Sequence, residues 1–115
     1  MPAQEEQWSV ALQKARHALR KNDGLPFALQ LEHAQAGFAT KKELLKQAVR
    51  EKSMANIEKT LTDVIEQRAQ ITALELAVWE ERYGKPSTSM LETYTTRYMT
   101  DCLRIITAIA HTIPG

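Results

Sequence analysis

Apolar positions recur at helical spacing along nearly the whole chain. Trp8, Leu12, Ala15 and Leu19 follow at intervals of four, three and four, so a helix over 4–20 gathers them on one face. Glu5 and Glu6 near its start, and Arg16, Arg20 and Lys21 near its end, both oppose the helix dipole. Asn22-Asp23-Gly24 then stops it with residue types that tolerate left-handed backbone. Leu25-Pro26 opens a second segment, because proline is tolerated where the first-turn N–H has no partner. Phe27, Leu31, Ala34 and Phe38 repeat the rhythm, and Gly37 reads as a C-terminal stop.

Thr40-Lys41-Lys42-Glu43 has the form of a capping box and predicts a fresh helix start. Leu44, Leu45, Ala48 and Val49 form its buried stripe, with Lys42, Lys46 and Arg50 expected on the opposite face. The stripe continues through Ile57, Leu61, Val64, Ile65, Ile71, Leu74, Val78, Trp79 and Tyr83, with neither glycine nor proline between 41 and 83. A single helix of that length would extend about 64 Å. The alternative is a break near Ser53, which has the chemistry of an N-cap. We favour the long helix, bent at that point. Gly84-Lys85-Pro86 marks the clearest loop, and Ser89-Met90-Leu91-Glu92 a second capping box. The last helix carries two apolar rows. One is Leu91, Tyr94, Tyr98, Cys102, Ile105 and Ile109; the other is Met99, Leu103, Ile106, Ala110 and Ile113. Two rows imply a central position or a face turned to a second chain.

The expected fold is therefore all-α: one domain over 1–115, a small bundle of four to five helices with one long central helix or helix pair. Loops are expected near 22–25, 37–40 and 84–88. The core is expected to include Leu61, Ile65, Leu74, Trp79, Tyr98, Ile105 and Ile109. The 115 residues are 43% hydrophobic and 25% charged, an ordinary globular balance long enough to enclose a core. The lone Cys102 permits no intrachain disulfide and suits a reducing compartment. The first six residues lack the charged-then-apolar pattern of a leader. The longest apolar region, 102–113, carries Arg104 and His111 and falls short of the roughly 20 residues a bilayer requires. The expectation is a cytoplasmic protein with no membrane contact.

Candidate chemistry is sparse. None of His17, His33 and His111 has a carboxylate three residues before it, and there is no His-Glu-x-x-His or cysteine pair, so neither metal nor cofactor is expected. Cys102 lies in an apolar row, where a thiol is usually a small unreactive hydrophobe. Asp101 and Arg104, three apart, read as an ion pair. Glu75, Glu80 and Glu81 do not converge as a dyad, and no glycine-rich phosphate loop exists. No catalytic residue is assigned.

Charge is more informative. The net charge is +1, but residues 1–52 hold nine basic and six acidic side chains, and residues 53–115 six and eight. Lys42, Lys46 and Arg50 recur every four residues as a basic row, flanked by Lys41 and extended by Arg16 and Arg20 if the first helix lies alongside. Such a row could meet phosphates or an acidic protein, although most charge rows only cover a solvated face. No aromatic interleaves it, which disfavours single-strand stacking.

The segment Leu25-Pro26-Phe27 through Gly37-Phe38-Ala39-Thr40 to Glu51 resembles the two helices of a ribbon-helix-helix DNA-binding domain, a family of plasmid and antitoxin repressors. The resemblance covers about a quarter of the chain and implies a nucleic-acid-binding regulator. The family reads bases with a strand before its first helix, and here His17 to Asp23 continues an amphipathic helix instead. Leu76 to Gly84 is similar to helix ends in small bacterial antitoxin-like proteins, with Trp79 and Tyr83 placed to pack on the last helix.

Three functions remain open. The leading one is a small non-enzymatic interaction protein (adaptor, inhibitor, chaperone or regulator) acting by binding another protein. The second is a nucleic-acid-binding regulator using the basic row. The third is an enzyme or ligand-binding bundle with an unrecognised pocket. A homodimer is expected through the long and last helices, with Trp79, Tyr83, Ile106, Ile109 and Ile113 as interface candidates.

Overall fold

A computed structural model describes residues 4–19 and 25–112. Among these residues the fold is all-α, with four helices: α1 (Gln4–Ala18), α2 (Phe27–Arg50), α3 (Met54–Tyr83) and α4 (Thr88–Thr112). Among the described residues no helix is long and apolar enough to cross a membrane. The expected loop near 22–25 falls largely outside the described residues.

The boundaries between 27 and 83 differ from expectation. α2 runs unbroken through Gly37 and Thr40. Gly37 is there for close packing. A Cβ at that position would lie 3.1 Å from Gln67 Oε1 on α3. Thr40 does not cap; its hydroxyl donates back to the Ala36 carbonyl at 3.2 Å, an ordinary mid-helix bond. The favoured continuous helix from 41 to 83 is interrupted. Lys52 adopts φ 56°, Lys52 N–H donates to Val49 O, and Ser53 N–H donates to Ala48 O. This is a Schellman ending with lysine where glycine is usual. Ser53 then caps α3, its side chain accepting from Asn56 N–H. The last helix starts at Thr88 rather than at the second capping box, with Ser87 Oγ accepting from Met90 N–H at 3.1 Å. Gly84 closes α3 at φ 85°, where a side chain would be strained.

α2 and α3 form an antiparallel hairpin. Leu45 and Ala48 meet Ile57 and Val64 at the turn end, Gly37 meets Gln67 midway, and Ala34 meets Ile71 and Leu74 at the open end. α1 packs on α3 and also touches α4, through Trp8, Leu12, Ala69, Tyr98 and Cys102. Of the expected core, Leu74 and Tyr98 are fully buried. Leu61, Ile65, Ile105 and Ile109 are half-buried at the margins of core clusters, and Trp79 is half-buried outside them.

Candidate functional site

Two features of the described residues bring chemistry together: a buried polar cluster between α3 and α4, and an open apolar groove between α2 and α4.

The cluster centres on Arg68, whose side chain is only 10% exposed. Arg68 Nε donates to Asp101 Oδ2 at 2.9 Å, Arg68 Nη1 donates to Thr72 Oγ1 at 2.6 Å, and Glu75 lies 3.9 Å away. Asp101 also faces Arg104 at 3.7 Å, but Arg104 is largely exposed. The pairing expected within α4 is therefore secondary to one that joins α3 to α4. Beside it, the fully buried Tyr98 hydroxyl donates to Trp8 O at 2.7 Å. Burial pushes the Cys102 thiol up to about 11, partly countered by the Tyr98 hydroxyl and the Arg68 guanidinium. Burial likewise raises Tyr98 above the usual phenol range. Neutral Tyr98 and Cys102 are thus favoured, and a thiol so held is a poor nucleophile. Among the described residues no buried side-chain nitrogen or oxygen lacks a partner, and no group of three His, Cys, Asp or Glu converges on a metal position. The cluster ties α3 to α4 through Arg68 and Asp101. Sequence reasoning did not single out Arg68 because a lone arginine amid helical polar positions looks like any solvated one.

The groove is built differently. Leu45 and Val49 from α2 and Ile105, Ala108 and Ile109 from α4 supply its apolar lining. Its volume is about 360 Å³. Its apolar residues belong to the cluster of Leu45, Ala48, Ile57 and Val64, left open on one side because α2 and α4 both rest on α3 without closing on each other. Lys42, Lys46 and Arg50 line the same groove, and none of its lining residues is acidic. The basic row was expected opposite the buried stripe. It instead borders that stripe, since positions 42, 46 and 50 flank 45 and 49 on the helix surface. Lys42 Nζ stands 4.6 Å over the Phe38 ring, Lys46 pairs with Glu43 at 3.2 Å, and Arg50 donates to Gln47 Oε1 at 2.9 Å. These partners lie within α2 itself, so the three cations remain on the groove's margin.

The other candidate residues are dispersed. Lys41 turns to α3 and donates to Gln67 Oε1 at 2.9 Å. Arg16 lies near Phe27 and Glu80, at the opposite end of α2 from Lys42, Lys46 and Arg50, so it does not extend their row. Arg20 and Ile113 lie outside the described residues. Trp79 and Tyr83 stack on each other with ring centroids 4.3 Å apart, and Tyr83 is exposed. Ile106 packs against the cluster of Trp8, Leu12, Ala69, Tyr98 and Cys102, while Ile109 reaches the groove. The two-helix segment resembling a ribbon-helix-helix domain is one continuous helix, α2, so the resemblance does not extend to the fold.

Compared with protein-family models, curated proteins and solved structures, the chain matches none.

Proposed function

We propose that this chain is a non-enzymatic helical interaction protein that acts by binding another protein through the α2–α4 groove. The observation that supports this reading most is the groove itself. Half-buried Val49, Ile105 and Ile109, with buried Leu45 beneath them, form one apolar strip bordered by cations on its α2 side. An apolar strip bordered by polar side chains is the arrangement found at docking sites.

The test is comparative capture from the native cell using immobilised wild type, Val49→Asp and Ile109→Asp. Circular dichroism first establishes that both variants retain the helical fold. The reading expects one protein, identified by mass spectrometry, retained in stoichiometric amount by wild type and lost with both variants. Equal retention by all three would refute it. A nucleic-acid reading predicts instead that wild type retards DNA or RNA at low salt and that changing Lys42, Lys46 and Arg50 to glutamine abolishes the retardation.

A further inference from the structure

We infer that the groove's occupant is an amphipathic α-helix whose apolar stripe is flanked by acidic side chains. This rests on the reading of the groove as a protein-docking site and adds the partner's chemistry. The α2 wall from Lys42 to Arg50 rises about 12 Å along the helix axis, roughly two turns. An apolar stripe at positions i, i+3 or i+4, and i+7 covers the same length, which is the helix-in-groove mode of recognition. Leu45 and Val49 on one wall and Ile105 and Ile109 on the other each lie one turn apart, so both walls offer ridges at helical spacing.

Charge selects among the possible occupants. Lys42, Lys46 and Arg50 line the α2 side at one-turn intervals, and Glu43, paired to Lys46, stands outside the lining. A helix with glutamates one turn apart beside its apolar stripe meets those cations in register. A second copy of this chain is disfavoured. Whichever way a second groove were turned, it would offer these cations only apolar side chains, Thr112 or further cations, because no lining residue is acidic. A nucleic-acid backbone would meet the cations but leave Val49, Ile105 and Ile109 uncovered, and no aromatic ring lines the groove to stack a base.

Synthetic helical peptides test this directly. The acidic probe is a peptide of about four turns with leucines at helical spacing and flanking glutamates; its counterpart replaces the glutamates with lysines. Binding to the full chain is read by fluorescence anisotropy. Wild type is expected to bind the acidic peptide at least about tenfold more tightly than the basic one, with affinity falling as salt rises. The triple variant Lys42→Glu, Lys46→Glu, Arg50→Glu is expected to reverse that preference, and Val49→Asp to abolish binding of both. Equal binding of the two peptides by wild type would overturn the acidic selection while leaving the docking reading intact. Failure of both peptides, with cellular capture still lost in Val49→Asp, would overturn the helical occupant alone. If peptide binding and capture are both insensitive to Val49→Asp, both readings fall. Self-association lost with Val49→Asp, or nucleic-acid retardation lost with the triple variant, would overturn the inference in favour of those occupants.

Discussion

The Tyr98 hydroxyl donates a 2.7 Å hydrogen bond to the backbone carbonyl of Trp8, across 90 residues of sequence. Both side chains are buried, and the bond fixes α1 against α4 where each also packs on Ala69 of α3. Tyr98→Phe keeps the ring and removes only the donor. It should cost about 0.5–1.5 kcal/mol in urea unfolding, the net worth of one such bond. Leu74→Ala, in a fully buried apolar position, should cost about 2–5 kcal/mol. A Tyr98→Phe loss equal to that of Leu74→Ala would mean the hydroxyl contributes more than its bond to the Trp8 carbonyl.

Asp101 and Arg104 separate two kinds of ion pair on one residue. Asp101→Ala deprives the nearly buried Arg68 of its 2.9 Å partner and should cost about 1–3 kcal/mol. Arg104→Ala removes only an exposed contact at 3.7 Å and should change stability by less than about 0.5 kcal/mol. Equilibrium denaturation of the two variants checks the order.

Cys102 and Tyr98 make stability fall on the alkaline side. The Cys102 thiol ionises near 9.0 when unperturbed and near 11 in the fold, so between those values the folded state holds more protons than the unfolded chain. Stability from this source is fully present below pH 9 and declines as pH rises toward 11. Tyr98, raised in the same direction from 10.0, adds its own decline above pH 10. Melting temperature followed from pH 8 upward should fall, and Cys102→Ala should flatten the first part of that fall. The native thiol should also resist a disulfide reagent at pH 8 and react promptly after unfolding.

Lys52 occupies the left-handed position that ends α2, at φ 56°. Lys52→Gly removes the side-chain penalty there and should stabilise the protein by about 1 kcal/mol. Lys52→Val, β-branched at the same angle, should destabilise it. Thermal unfolding of the pair gives opposite shifts if the left-handed turn is the controlling feature.

These positions also explain what the sequence made legible. Apolar rhythm revealed the helical class, and Gly84-Lys85-Pro86 revealed the end of α3, because both signals are local. Gly37 misled, since a glycine packed closely against a neighbouring helix looks the same as one that ends its own. The true break was carried by Lys52, a residue type with no preference for left-handed backbone, and only Ser53 hinted at it. Lys42, Lys46 and Arg50 were legible as a row. That they border an apolar groove was not, because its opposite wall comes from Ile105 and Ile109, some sixty residues away.

The hairpin of α2 and α3 has a kinetic consequence. Its turn spans residues 51–53, so its contacts near the turn close short loops at small entropic cost. The clasp between Trp8 and Tyr98 must close a far longer one. Hairpin contacts are thus available early in folding, and the clasp completes late. Substitutions at Ala48 or Ile57 should chiefly slow refolding, whereas Tyr98→Phe should chiefly speed unfolding. The molecule's resistance to transient opening then resides in the contact that joins its most distant helices, while its speed of assembly resides in its most local one.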